Sequence, residues 1–440
     1  MTDTAILENA RKHLGIQNFN RIQLAMLHSR ARDIILTAPT GSGKTLAFCT
    51  RTLSVLNDHP APASVLVIAP SRELAIQIAG VVRGIAKGMK TVVLYGGHSM
   101  DDETKSLTPV PEIIIATPGR LLDHLQRGTI SISSPKVLIL DEYDKSLELG
   151  FESEMKRIIK LIGSPENIIL TSATRMPEIP SWLRIKSPEY INEEPGHSDL
   201  QSRTEIIQVP SYIPDKLDTL CNLLRSLERD AKVIVFVNHR ESARRVADRL
   251  LKERIDAGIY HGELDQQQRA MALQLFENGT YPVLVTTDLA ARGLDISGVT
   301  DIIHYHIPTT EQTWTHRNGR TARVDKTGRV YVITSEADSV PDFIEFGRRF
   351  DPPTADETSL KSKVGSLYFA AGKKEKISRG DILGFLVSNS SLTPEQIGKI
   401  TVADHYSLAA IPRSELFNTF NSVKSLKIKG KKVKISTLQA

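Results

Sequence analysis

Two segments almost 100 residues apart hold side chains suited to phosphate chemistry: APTGSGKT at 38–45 and DEYD at 141–144. In the first, the glycine-rich run Thr40, Gly41, Ser42 and Gly43 can turn its backbone N–H groups inward on an anion. Lys44 adds a positive charge, and Thr45 can offer its hydroxyl to Mg²⁺. In the second, Asp141 can hold the same Mg²⁺, and Glu142 beside it is placed to polarise a water. A glycine-rich turn or an acidic surface loop would look similar one at a time. The ordered pair is far more specific.

Each segment must be held in place by what precedes it. Ile34-Ile35-Leu36 runs into the first and Val137-Leu138-Ile139-Leu140 into the second. Short apolar runs bounded by turn residues read as buried strands of a parallel sheet. Strands are expected at 34–37, 65–69, 91–95, 113–116, 137–140 and 168–171, with helical stretches between them. A second alternation follows at 205–209, 232–237, 257–260, 283–286, 301–305 and 329–333. Alternation of this kind predicts α/β domains, with ligands at the carboxyl ends of the strands. The polar stretches 191–204 and 336–362 read as linkers. After them the pattern becomes β-α-β-β-α-β, the order of an RNA-recognition-motif-like α+β domain. The expected domains are therefore 1–195, 205–348 and 362–440.

Charge sets the last segment apart. Residues 361–440 carry 14 Lys+Arg against 5 Asp+Glu, a net of +9, whereas the first 360 residues are net −4. A basic block of this kind suggests a nucleic acid partner. Lys373, Lys374, Lys376 and Arg379, then Lys427, Lys429, Lys431, Lys432 and Lys434, are the candidates for contact. The third strand of this segment offers only Tyr406, so stacking of bases on its sheet is not expected. The two cysteines, Cys49 and Cys221, lie in different halves, which argues against a disulfide framework and for a reducing cytosol. No apolar run approaches the roughly 18–20 residues a membrane helix needs. A cytoplasmic monomer is expected.

The phosphate segments belong to a longer series. In order come PSRELA (70–75), GG (96–97), TPGR (117–120), DEYD and SAT (172–174), then VFVN (235–238), HGELDQQQR (261–269), TTDLAARGLD (286–295) and HRNGRTAR (316–323). The series resembles the DEAD-box RNA helicases of superfamily 2 over about residues 10–350. The strings RGDILGFL, IGKI and IKGKKVKI resemble the C-terminal RNA-binding domain of their DbpA-type branch. The resemblance implies two tandem RecA-like domains that bind ATP and Mg²⁺ and close on RNA. It implies unwinding of short duplexes, with large-subunit ribosomal RNA and pre-ribosomal particles as partners. The same residues would serve an ATP-gated RNA clamp or annealing chaperone.

Individual roles carry over by motif. Lys44 and Glu142 would act in hydrolysis, joined by Arg320 and Arg323 on the γ-phosphate. Gln23 would read adenine and Asp295 would meet the ribose. Asp144, Ser172, Thr174 and His316 would couple the ATP and RNA sites. RNA backbone contacts would come from Ser71, Arg72, Gly97, Thr117 and Arg120, and from Asn238, Arg240, Gly262, Gln266, Arg269, Thr287 and Arg292. Gly97 and Gly262 would allow close backbone approach. Three places depart from the family pattern. Tyr143 replaces Ala, so its ring must find space in the core or point outward. Phe19-Asn20-Arg21 stand where Pro-Thr-Pro is usual, with Ile6 in place of an aromatic. Asn318 and Ala322 replace an aliphatic residue and glycine.

Overall fold

The computed structural model describes every residue except Met1, Thr40, 57–59, His98, 174–178, 193–203, Arg229, 289–295, Ser297, 322–327, 355–359, Lys361 and 439–440. Thr40, Thr174, Arg292, Asp295 and Arg323 therefore lie outside the described residues. The chain forms two compact units: one carries the first parallel sheet, the other the second parallel sheet, a four-stranded antiparallel sheet and a two-stranded hairpin.

The first sheet comprises β1 (Asp33–Thr37), β2 (Val65–Ile68), β3 (Thr91–Leu94), β4 (Ile113–Ala116), β5 (Val137–Leu140), β6 (Asn167–Ser172) and β7 (Glu189–Asn192). Among the described residues they lie in the order β3-β4-β2-β5-β6-β1-β7, all parallel. Successive side chains go to opposite faces. Ile34 and Leu36 join one apolar cluster, as do Val65 and Val67, while Ile35, Leu66 and Ile68 join the other. Burial on both faces explains why these strands read as unbroken apolar runs. β7 was missed because only Ile191 of its four residues is buried.

The second sheet comprises β8 (Thr204–Pro210), β9 (Val233–Phe236), β10 (Ala257–Tyr260), β11 (Val283–Thr286), β12 (Asp301–His304), β13 (Gly328–Thr334) and β14 (Arg348–Arg349). Its order, β10-β11-β9-β12-β13-β8-β14, repeats that of the first sheet strand for strand. The expected linker 336–362 is not free chain. Arg348–Arg349 pairs as the edge strand, and Phe350 and Leu360 pack on the apolar core beneath, with Leu360 1% exposed.

The third sheet comprises β15 (Val364–Phe369), β16 (Ile400–Val402), β17 (Ser407–Pro412) and β20 (Ile435–Leu438), antiparallel in the order β16-β17-β15-β20. The helices Arg379–Asn389 and Leu416–Val423 complete the expected β-α-β-β-α-β order. A hairpin of β18 (Lys427–Ile428) and β19 (Lys431–Lys432) was not expected, and it takes Lys431 and Lys432 out of the final strand. Lys429 and Gly430 form its two-residue turn, both with positive φ, as a primed turn requires.

Candidate nucleotide site and nucleic-acid interface

Register brings the phosphate segments together. β5, β6 and β1 are neighbours, with Leu140 opposite Leu170 and Thr37 opposite Ser172. Ala38, Pro39, Gly41–Gly43, Asp141-Glu142 and Ala173 thus leave the same carboxyl edge side by side. Gly41 and Gly43 adopt φ of +84° and +88°. The positive φ disfavours a side chain at Gly43, and a Cβ there, 2.5 Å from Nε2 of Gln23, would also displace that amide. Lys44 opens the Lys44–Val55 helix and is buried. Its Nζ donates to the carbonyls of Ala38 (2.6 Å) and Pro39 (2.9 Å).

Gln23 lies beneath this loop with its amide engaged at both ends. Oε1 accepts from the N–H of Asn20 (2.9 Å), and Nε2 donates to the carbonyl of Gly43 (3.4 Å). Asn20 explains its own departure from the family pattern. It caps the Arg21–His28 helix through the N–H of Gln23, and its Nδ2 reaches the carbonyl of Ser42 at 2.8 Å. Ile6, where the pattern has an aromatic, is fully buried in the core.

Asp141 is 2% exposed. Burial pushes its carboxyl above the ordinary value, against the opposing pull of the Thr171 hydroxyl and the Lys44 charge. Thr171, at the end of β6, donates its hydroxyl to Oδ1 of Asp141 and accepts from the N–H of Glu142 at 3.1 Å. One hydroxyl therefore fixes both acids. Sequence reasoning passed over Thr171 for its neighbours Ser172 and Thr174; the pairing of β5 with β6 is the signal that finds it. Glu142 itself sits at φ 46°, ψ 54°, a left-handed conformation uncommon for a side chain of this size. Tyr143 resolves its alternatives inward. It is fully buried in the apolar cluster on one face of the sheet, its hydroxyl without a hydrogen-bond partner among the described residues. Asp144 accepts from the N–H of Lys145 (3.0 Å), and Ser172 is buried with its carbonyl on the N–H of Ala38.

These groups suit a magnesium ion. A buried carboxylate with a raised pKa gains from a divalent cation. Among the described residues no three His, Cys, Asp or Glu side chains gather as a metal cage. Magnesium is commonly held by one or two carboxylates, with phosphates and water completing its shell.

The first-unit RNA candidates also converge at the carboxyl edge, on β3, β4 and β2. Ser71 caps the Arg72–Ile85 helix and Thr117 sits at the N-cap of Pro118–Gln126. The Arg72 guanidinium lies over the Tyr95 ring at 4.1 Å, and Gly97 packs so close that a Cβ would stand 3.0 Å from its Nη1. Arg120 donates to the Tyr95 carbonyl (3.2 Å) and pairs with Glu103 (3.0 Å). Glu103, overlooked in the sequence, also bonds His124 at 2.9 Å and the N–H of Tyr95 at 3.2 Å.

In the second unit Asn238 is held from three sides. Its N–H meets Nδ1 of His306 (3.0 Å), its Nδ2 donates to Ile307 (3.2 Å), and its Oδ1 accepts from Arg317 (2.8 Å). Burial, then Lys216, His239 and Arg317, drive the His306 pKa down to about 4, which keeps that nitrogen an acceptor. Arg317 is fully buried and also pairs with Asp288 at 2.6 Å. It too was missed, although it lies inside HRNGRTAR. His316 and Arg320 are buried beside it, and Thr287 is half-buried after β11. Arg240 is exposed and paired with Glu241 and Glu263. Gln266 and Arg269 bond one another (3.1 Å) on the first turn of the Gln266–Glu277 helix. A Cβ on Gly262 would meet nothing within 4 Å among the protein atoms, so intramolecular packing does not demand glycine there.

In the tail, the loop 372–378 and the β18–β19 hairpin form one basic surface. Lys429 reaches the carbonyl of Lys376 (3.2 Å) and Oδ2 of Asp381 (2.9 Å), while Lys431 reaches the carbonyl of Glu375 (3.1 Å). Lys373, Lys374, Arg379 and Lys432 are exposed around them. A Cβ on Gly372 would stand 2.2 Å from the Ala403 carbonyl, so glycine is required where the loop turns.

Two parallel sheets of identical order, the first edged with a phosphate loop and paired acids, and a small basic domain after them define a helicase with an appended binding domain. Residues 20–180 match the DEAD/DEAH box helicase family, 215–325 the helicase conserved C-terminal domain, and 366–437 the DbpA RNA binding domain. The chain is 31% identical to the ATP-dependent RNA helicase DbpA of Escherichia coli, over 97% of this chain and 96% of that one. It is 27% identical to DbpA of Bacillus subtilis over the same shares. S. cerevisiae Dbp5 bound to RNA and ADP BeF3 superposes with a TM-score of 0.65 at 25% identity, covering 76% of this chain and 87% of that one. The chain belongs to the DbpA-type DEAD-box ATP-dependent RNA helicases.

Proposed function

We propose that this helicase locally unwinds short RNA duplexes, acts on large-subunit ribosomal RNA in pre-ribosomal particles, and works as a cytoplasmic monomer with domains 1–195, 205–348 and 362–440. The observation that carries the reading is the Thr171 hydroxyl bridging Asp141 and Glu142 beside the buried Lys44. Lys44 exchanges its two carbonyl partners for phosphate oxygens. Gly41, Ser42 and Gly43, with Thr40, direct N–H groups to the same anion. Glu142 orients the attacking water. Thr45 and Asp141 would hold magnesium, which would supply charge neutralisation at the phosphates. Arg320 and Arg323 complete the charge, and such a group is worth on the order of 10³–10⁵ in rate. Gln23 and Asp295 serve the base and the ribose. Asp144, Ser172, Thr174 and His316 relay between nucleotide and RNA.

RNA backbone falls to Ser71, Arg72, Gly97, Thr117 and Arg120, then to Asn238, Arg240, Gly262, Gln266, Arg269, Thr287 and Arg292. The +9 tail holds ribosomal RNA through its exposed lysines, and the two free buried cysteines favour a reducing compartment. The test is strand displacement of a short RNA duplex, with ATPase activation by large-subunit ribosomal RNA, random RNA and DNA compared. ATP-dependent displacement and preferential ribosomal activation are expected. ATPase activity without displacement would leave only an RNA clamp.

A further inference from the structure

We infer that Glu103 is a positioning residue for RNA: its buried carboxylate yokes the Arg72 and Arg120 contacts of the first unit into one preorganised site. The inference rests on the reading of those two arginines as contacts to the RNA backbone.

Glu103 lies outside every motif string, on the short Met100–Ser106 helix. It is the only buried residue of that helix, at 7% exposure. A helix held down by packing alone would bury an apolar side chain there. An acid in that place costs free energy unless it is paired. The partners of this carboxylate come from two places, the loop after β3 and the Pro118–Gln126 helix after β4. Oε1 accepts from the N–H of Tyr95 at 3.2 Å. Oε2 lies 3.0 Å from Nε of Arg120 and 2.9 Å from Nε2 of His124. A carboxylate only accepts, so Nε2 of His124 carries a proton. His124 is fully buried, with Nδ1 on the Thr129 hydroxyl at 2.7 Å, so the ring and the carboxylate hold one another in place.

Tyr95 carries this order on to Arg72. Its carbonyl accepts from Nε of Arg120 (3.2 Å), and its ring lies under the Arg72 guanidinium at 4.1 Å. Nη1 of Arg72 also donates to the carbonyl of Gly96 at 3.3 Å. β3 and β4 pair in parallel, so the Tyr95 loop and the Arg120 helix begin side by side. Both arginines therefore depend on Tyr95, and Tyr95 is anchored by one carboxylate. Long guanidinium side chains that are already ordered lose less freedom when RNA binds. Burial and the Arg120 charge also shield the acid from a phosphate backbone that it would otherwise repel.

The test is ATPase activation of the full chain by random-sequence single-stranded RNA, titrated at saturating ATP. Glu103→Gln keeps the shape but leaves one acceptor oxygen for three donors. The RNA concentration for half-maximal activation should rise about tenfold, the scale of a lost hydrogen bond to a charged group, while kcat at saturating RNA changes far less. Placed in a chain that already carries Arg72→Ala and Arg120→Ala, the same substitution should add nothing, because residues that act as one unit are not additive. A folding defect would show in both backgrounds, so the comparison separates positioning from misfolding. A further tenfold rise in the doubly substituted chain would overturn the proposal. So would an unchanged half-maximal concentration for Glu103→Gln alone, or a fall in kcat without a change in that concentration. If the paired arginine substitution itself leaves RNA activation unchanged, the RNA reading of Arg72 and Arg120 falls and takes the proposal with it. A loss of activation there, with Glu103→Gln normal, sinks the proposal alone.

Discussion

Thr171 shows how much of a catalytic arrangement can hang on one hydroxyl. Its proton goes to Asp141 and its lone pair takes the N–H of Glu142, whose left-handed backbone needs such an anchor. Thr171→Val keeps the shape and removes both bonds. Turnover in a steady-state RNA-stimulated ATPase assay should fall about a hundredfold, the usual scale when reacting groups are misplaced. Thr171→Ser should retain most of it. Glu142→Gln keeps the shape of the acid but cannot take a proton from water. It should still bind ATP and remain trapped on RNA, and near-normal turnover would remove Glu142 from its role. Tyr143 makes the opposite kind of case. Its buried hydroxyl has no partner among the described residues, and such a group costs about 1–3 kcal/mol. Tyr143→Phe should raise the midpoint of thermal unfolding and leave ATPase activity unchanged, whereas a drop in stability would mean the hydroxyl is satisfied.

At the scale of elements, buried strands were legible and edges were not. Val137-Leu138-Ile139-Leu140 announces itself because both its faces are covered; β7 and β14 expose most of their side chains and carry no such run. The nucleotide residues were legible for a related reason, since their loops need fixed types at fixed spacing. Thr171, Glu103 and Arg317 were hidden because their meaning comes from strand pairing across the sheet, or from the far side of a loop, which spacing alone does not carry. The β18–β19 hairpin was hidden behind its lysines, which read as charge and not as a turn. Its attachment has a pH signature. The Ser378 hydroxyl, then Lys429, hold the half-buried Asp381 carboxyl down at about 2, from 3.8. Because the folded value is the lower one, this attachment is complete above pH 3.8 and is lost as pH falls towards 2. Amide exchange at 428–432 should accelerate over that window in the native chain, and Lys429→Ala should move its onset upward.

For the whole molecule, charge and rigidity divide the work. A net of +9 on the last 80 residues against −4 on the rest makes the tail the electrostatic hold on RNA. Neutralising Lys373, Lys374, Lys431 and Lys432 to Gln should flatten the salt dependence of ribosomal RNA binding by about three in the log–log slope. An unchanged slope would move the contact elsewhere. Neutralisation is a cleaner probe than truncation. Removing residues 355–440 would uncover Leu275, Met271 and Tyr281 and add an adhesive patch to the experiment. The same packing bears on exchange between proteins. A sheet whose open face is completed by another domain's helix is not a self-sufficient cassette. Grafted onto a foreign helicase core, residues 362–440 would arrive with Tyr406 and Leu408 bare. A working transplant would have to carry residues 271–281 with it, so this tail and its second domain are expected to be inherited, and engineered, as one piece.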